Sequence, residues 1–444
     1  KDLMNKTLLY TLLASLLVML SSCDDYLDIQ PVGKVIPTTA EDFRALMTEA
    51  YSYVPSDRGL ASFRSDEVLL EPSMSEYDLE SYFDIWAWKD NGANENTSTF
   101  SWRSFYHVLF IANYVIESEA SIIGGTGPEI RQMVGEAYML RAYMHFILAN
   151  LHAPAYTKCD PAVTKAVPLK LNSDVETLLS RSMLGDIYES VTSDLDTAES
   201  YLNVDSWETG YNYRFNKISV DALRSRVYLY MGKWEESLAA SAKVLAVNDN
   251  LEDITVRLPN EYNSVENIVA LEQVMVNNYK RTLKVNSDFL SLYDGQDLRL
   301  EAYYEPTESG TRIVKGGSNT YSCSLRVGEI YLNAAESAWN CKRYDDAADY
   351  LLKLQSARYT AEAYPDKEAY VKRLSPEALL VEIYDERARE LAFEGHRWFD
   401  LRRTTQPRME RKFRDDVYVL EQGDSRYTIP IPTAAIQANP LLTQ

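Results

Sequence analysis

Histidine is scarce in this chain, with four in 444 residues: His107, His145, His152 and His396. No His-Glu-x-x-His run occurs, and His145 and His152 stand seven apart on one expected helix, about 10 Å along its axis. That spacing excludes a zinc-hydrolase site. Cysteine is as rare, with four residues. Setting aside Cys23, the remaining Cys159, Cys323 and Cys341 cannot all pair, so the chain has no disulfide framework. Cys323 and Cys341 flank one expected helix of about 17 residues, which holds them about 25 Å apart, beyond disulfide reach. Positive charge is also short: 45 Lys and Arg face 66 Asp and Glu, a formal net charge of -21. Such a surface repels phosphate backbones and anionic lipid, so nucleic-acid binding and charge-driven membrane attachment are excluded. Gly-x-Ser-x-Gly is missing, and Gly124-Gly125-Thr126-Gly127 lacks the Lys and preceding strand of a phosphate loop. Beyond the first residues, no apolar run is long enough to cross a bilayer.

What is present is globular: 46% hydrophobic and 25% charged residues. The length predicts one large helical domain with insertions, or two domains. Tyr is abundant, at 32 residues, and offers flat apolar rings with a hydroxyl, suited both to helix packing and to polar ligands. At the N-terminus, Met4-Asn5-Lys6 precedes an apolar run from Thr7 to Leu20, shorter than the roughly 20 residues of a spanning helix. It reads as a secretory signal over residues 1–22. Leu20-Ser21-Ser22-Cys23 follows and resembles a lipobox, in which Cys23 is acylated and supplies the anchor that the acidic surface cannot. Acids after Cys23, in Asp24-Asp25-Tyr26-Leu27-Asp28, are similar to the surface-export signal of some Gram-negative lipoproteins.

Helical periodicity governs most of the remainder. Thr38-Thr39-Ala40-Glu41 opens a short helix to about Tyr53. Residues 54–100 read as irregular, broken by Pro55, Gly59, Pro72 and Gly92. Long helices are expected near Trp102 to Ala120 and Glu129 to Leu151, with Pro128 at the first turn of the second. Others are expected over 183–202, 217–231, 234–247, 325–340 and 344–357. Gly232-Lys233-Trp234-Glu235-Glu236 and Lys342-Arg343-Tyr344-Asp345-Asp346 repeat one pattern, a tight turn then an aromatic and two acids. It resembles the turn of tetratricopeptide repeats, whose helix pairs stack on a shared core. Residues 248–322 break the pattern, with a strand-like Asn267-Ile268-Val269-Ala270-Leu271, and read as an insertion that builds a non-repeat half. Ser375, Pro376 and Gly395 bound a final long helix, followed by His396-Arg397-Trp398-Phe399-Asp400-Leu401-Arg402-Arg403.

The stretch from Asp385 to Arg403, with Pro430-Ile431-Pro432 and Asn439-Pro440 near the end, resembles the SusD/RagB family of nutrient-binding lipoproteins. Leu325 to Leu332, Ala222 to Tyr230 and Glu136 to Tyr143 are similar to other stretches of that family, in consistent order. The resemblance implies a mainly α fold: tetratricopeptide-like helix pairs forming a scaffold, beside an irregular, loop-rich half with short strands that carries the ligand site. It divides the mature chain into a SusD-like region, 23–215, and a SusD/RagB C-terminal region, 216–444, that includes the 248–322 insertion. It also implies a partner, a SusC-like TonB-dependent outer-membrane transporter, and a lipid-anchored position facing outward from the cell. No cofactor is expected.

Glu390 and Glu394, four apart with Asp400 nearby, are the strongest enzyme-like constellation. Glycosidase chemistry needs one carboxyl with a raised pKa. Arg387, Arg389, Arg397, Arg402 and Arg403 surround these acids, so they are expected to stay ionised in salt bridges, with Trp398 and Phe399 plugging the core. The expectation is a binding protein and not an enzyme. Its ligand is a glycan, with a peptide, or a pure helical-repeat interaction scaffold without small ligand, as the alternatives. Sugar rings lie on indole while their hydroxyls need amide and acid partners. The candidate ligand residues are therefore Asp66, Trp86, Trp88, Asn91 and Asn94, near Asn96, with Tyr303 and Tyr304 as a second cluster. Core packing of Trp86 and Trp88 on one side of a strand is the competing reading.

Overall fold

Side-chain caps set where the helices begin. In the computed structural model, which describes residues 36–71, 73–90 and 94–443, Thr39 forms a capping box with Asp42 ahead of the helix Ala40–Ser52. Thr126 does the same with Glu129 before Gly127–His152, with Pro128 in its first turn, and Asn216 with Ser219 before Lys217–Met231. Helices Arg103–Ser118, Leu184–Tyr201, Trp234–Val247, Val327–Asn340 and Tyr344–Gln355 fall where periodicity places them. The long Gly127–His152 helix packs between Arg103–Ser118 and Leu184–Tyr201, and is buried along most of its length.

The two similar turns are alike in space. Gly232 (φ 71°) and Lys342 (φ 61°) both adopt the left-handed conformation that ends one helix and lets the next fold back. Each pair is antiparallel, and Val327–Asn340 lies against Trp234–Val247 of the first pair. Small polar residues let these helices approach. Ser225 Oγ meets Ser241 Oγ at 2.8 Å, Ser337 Oγ meets Ser237 Oγ at 2.9 Å, and Asn333 Nδ2 donates to Ser225 Oγ at 2.9 Å. The fold is mainly helical, as expected, and residues 39–444 form one unit.

The other half is loops tied by two-stranded antiparallel ladders: Val68–Leu70 with Leu283–Val285, Asn267–Val269 with Leu325–Arg326, Tyr304–Thr307 with Gly310–Ile313, and Met409–Phe413 with Asp416–Leu420. The stretch 54–100 is not irregular throughout. It holds helices Asp57–Ser62 and Glu76–Trp86, the second capped by Ser75, whose Oγ accepts the Asp78 N–H. Trp86 ends that helix and Trp88 follows at φ 55°, so the two do not share one side of a strand.

The C-terminal motif is buried along most of its length. Helix Pro376–Glu390 is capped by Ser375, and the chain then turns through left-handed Phe393 (φ 59°) and Gly395 (φ 71°). A Cβ at Gly395 would come within 2.7 Å of Arg58 Cβ and 2.8 Å of Val274 Cγ1, so only glycine fits. Trp398 and Phe399 are buried, as expected. The ion partners of Glu390 and Glu394 differ from those expected, whereas those of Asp400 are as expected. Glu390 is met by Arg326 (2.7 Å), Arg358 (2.8 Å) and Arg299 (2.9 Å), all outside the motif. Glu394 pairs with Arg326 at 2.8 Å and with Lys315. Of the motif's own arginines, Arg387 and Arg403 hold Asp400 (3.1 and 2.7 Å), and Arg389 holds Glu386 (2.7 Å). Arg397 reaches Asp66 (2.7 Å), and Arg402 donates to the carbonyls of Asn150, Ala153 and Tyr427. Glu390 and Glu394 thus draw their partners from the insertion, at Arg299 and Lys315, and from Arg326 and Arg358 beyond it, while the motif's own arginines hold Asp400.

Candidate functional site

The aromatic residues singled out in the sequence are packed inside. Trp86 and Trp88 are each 1% exposed. The Trp86 indole N–H donates to Val68 O and that of Trp88 to Arg64 O, while the Arg411 guanidinium lies 5.0 and 4.1 Å from their rings. Arg411 also donates to the carbonyls of Phe63, Ser65 and Trp86. The indole faces are thus covered by a cation and cannot receive a sugar in this arrangement. Tyr303 lies under Lys315 Nζ at 3.9 Å from its ring, and the Tyr304 hydroxyl is bound by that of Tyr293 at 2.7 Å. Both are buried. Asp66 has both oxygens on Arg397, each at 2.7 Å. Asn91 and Cys23 lie outside the described residues. Asn94 alone of the described set is exposed; its N–H donates to Asp84, and it borders a small cleft of 300 Å³ with Phe83 and Tyr418.

A larger cleft, of 670 Å³, opens between the end of helix Ala40–Ser52, the loop after Leu184–Tyr201, and the insertion. Its rings are Tyr51, Tyr213 and Tyr262. Tyr51 is buried and fixed: its hydroxyl donates to Glu136 at 2.9 Å and accepts the Phe215 N–H at 3.2 Å. Tyr213 stands edge-on to it, centroids 5.2 Å apart, and is half-buried, as is Tyr262. Asn212 stitches the walls together, donating from Nδ2 to Tyr262 O, while its own carbonyl accepts the Ala270 N–H at 2.9 Å.

The polar lining is largely neutral. Among the described residues the Gln273 and Asn319 side-chain amides and the Tyr262 hydroxyl carry no hydrogen bond, and all three border the cleft. Glu272 lies at the buried edge. Its Oε2 accepts from Arg58 at 3.0 Å and from the Tyr143 hydroxyl, and its Oε1 has no partner. Free amides and hydroxyls beside half-buried rings are the donor–acceptor mixture that a polyhydroxylated ligand needs. These residues come from five separate stretches, so no local motif announced them. The available signal was Tyr211-Asn212-Tyr213, aromatic and amide together in a gap between two helices.

Neither the motif nor the buried His145 and His152 supply acid–base chemistry. Burial alone would raise the Glu390 carboxyl, but Arg358 and Arg326 hold it well below the usual range, and Glu394 and Asp400 are lowered in the same way. A general acid needs the opposite shift. Burial pushes His145 down to about 3 and His152 to about 4, each bonded to backbone carbonyls. Among the described residues no group of three or more His, Cys, Asp or Glu could hold a metal ion, and no helix is long and apolar enough to cross a membrane.

Residues 25–229 match the SusD-like family described as starch-binding and associating with outer membrane, and residues 299–444 match the SusD family. The chain belongs to the SusD/RagB family. SusD-like proteins bind carbohydrate and are not catalysts, in keeping with the lowered carboxyls of the motif. A relative, SusD-like protein P38 of Formosa agariphila, is 27% identical over 265 residues, covering 56% of this chain and 47% of its own length. The matched part therefore spans about half of that relative. A SusD superfamily protein of Bacteroides thetaiotaomicron shares the fold at TM-score 0.76 and 22% identity, over 91% of this chain and 99% of that one. A laminarin-binding SusD-like protein does so at TM-score 0.64 and 19% identity, over 83% and 92%.

The burial of the two indoles gives a direct test. Trp86→Ala removes a closed core contact and is expected to cost about 3–5 kcal/mol of folding stability, read by denaturant unfolding, while the folded fraction binds glycan as wild type does. Normal stability with lost binding would return Trp86 to the ligand site.

Proposed function

We propose that this protein binds a nutrient oligosaccharide in the 670 Å³ cleft and delivers it to a SusC-like TonB-dependent transporter, while anchored in the outer membrane through an acylated Cys23. The observation that carries the reading is the cleft's combination of half-buried Tyr213 and Tyr262 rings with uncommitted amides at Gln273 and Asn319. Stacked rings supply the apolar contact and the amides read hydroxyl directions. The family's starch-binding description and the laminarin bound by one relative of the same fold support glycan over peptide as the ligand class. Sites of this kind sit on loops held by a rigid scaffold, which is how the cleft is built.

Titration of the purified protein with malto- and laminari-oligosaccharides tests the site. Tyr213→Ala should weaken binding of whichever oligosaccharide binds wild type by tenfold or more, at least about 1.4 kcal/mol, with little change in melting temperature. Unchanged affinity would place the ligand elsewhere, with the Phe83–Tyr418 cleft next in line. Binding of a peptide mixture and of no glycan would overturn the ligand class. For the anchor, Cys23→Ala should move the protein from the membrane to the soluble fraction in cells lacking the transporter; a variant that stays membrane-bound would contradict lipidation.

A further inference from the structure

The loop that carries Tyr213 also carries an arginine with nothing to neutralise it. Among the described residues Arg214 forms no ion pair, and its one side-chain hydrogen bond runs from Nε to the Tyr213 hydroxyl at 3.2 Å. Its guanidinium carbon lies 4.6 Å from the Tyr211 ring, 5.2 Å from Trp207 and 5.4 Å from Tyr213. Three rings hold the group in place and leave its two terminal nitrogens undirected toward any protein acceptor. In a chain with a formal net charge of -21, an unpaired, half-buried arginine stands out. Arg44, which borders the same space, shows the ordinary outcome, with both terminal nitrogens on Glu136 at 2.7 and 3.2 Å.

Arg214 and Trp207 line a second cleft, of 600 Å³, which shares no lining residue with the tyrosine cleft. Both clefts run along the same helix. Ala40, Glu41 and Arg44 border the second, and Thr48, Tyr51 and Ser52 border the first. Residues 40, 44, 48 and 51 or 52 recur every four positions and so share one helical face. The two clefts thus lie in line over about 18 Å of helix, at 1.5 Å per residue. A linear ligand seated on Tyr213 and Tyr262 would extend past Arg214.

We propose that Arg214 is an anion subsite that selects an acidic sugar, carrying a carboxylate or a sulfate ester, one end of which lies in the tyrosine cleft. A planar guanidinium pairs with either anion through two parallel hydrogen bonds. The subsite deepens the glycan reading, and the two can fail separately.

The test is calorimetric titration of the full protein with a trigalacturonate, with the same trisaccharide after reduction of its carboxyls, and with a sulfated trisaccharide and its desulfated form. Wild type should bind at least one anionic trisaccharide tenfold or more tighter than its neutral counterpart. Arg214→Gln should erase that ratio, and Arg214→Lys should keep part of it, because the charge remains while the planar fork is lost. Equal affinities for both pairs in wild type, or no binding of any of the four, overturn the subsite. A ratio that persists in Arg214→Gln overturns it as well, and the wild-type comparison decides if that variant does not fold. Neutral oligosaccharides bound without anionic preference would leave the tyrosine cleft standing and remove only Arg214. Anionic binding lost in Arg214→Gln but untouched by Tyr213→Ala would do the reverse.

Discussion

Glu390 has no solvent exposure, and three arginines close on its two oxygens. Around it, Glu266, Asp297, Glu386 and Glu394 alternate with Arg299, Lys315, Arg326, Arg358 and Arg389, all buried. Glu382, held by Arg389 at 2.6 Å and by Lys367 at 2.9 Å, extends the cluster, so that six carboxylates face six cations and their charges balance. Burying charge is expensive unless every partner is present, and removing one partner of such a pair costs about 3–5 kcal/mol. The penalty works as a constraint on geometry: the insertion, which contributes Glu266, Asp297, Arg299 and Lys315, can dock on helix Pro376–Glu390 in one way only. Buried ion clusters need not add net stability. Here the clear effect is that chain segments more than 100 residues apart are held in register.

That register builds the walls of the proposed ligand cleft. Glu266 lies four residues before Ala270 and Arg326 four after Ser322, and both Ala270 and Ser322 border the tyrosine cleft. A second buried pair, Arg58 with Glu272 at 3.0 Å, fixes the same wall from the other side. Most of the buried charge is spent on positioning. What faces the cleft is mainly tyrosine, amide and hydroxyl, a lining that suits a polar ligand. The helix pairs supply a rigid back, the loops supply chemistry, and the ion cluster joins the two.

Much of the scaffold was legible in the sequence, because helices announce themselves locally. The bounds expected for 217–231 and 234–247 are those found, since Asn216 caps the first and Gly232 ends it. Helix Glu76–Trp86 is hidden behind Pro72 and Gly92, which suggest a loop, although Ser75 caps it and Leu79, Tyr82, Phe83 and Trp86 recur at helical spacing. Core packing of Trp86 and Trp88 is one of the two readings that their sequence allows, but the cation that covers them is not legible there, because Arg411 lies more than 300 residues on. The same holds for Glu390. Its ionised, structural character was readable from a motif rich in arginine, but its actual partners, Arg299, Arg326 and Arg358, are remote in sequence. Local rules reach caps and periodicity, whereas the identity of a buried partner is a property of the tertiary fold.

The account rests on the ion cluster holding the cleft walls in place. Native-state hydrogen exchange on Glu390→Gln, read segment by segment against wild type, tests this most directly. The account predicts that protection falls by tenfold or more in 262–276 and 319–326, while the middle of helix Gly127–His152 stays among the slowest segments. Exchange in 262–276 and 319–326 at the wild-type rate would contradict it.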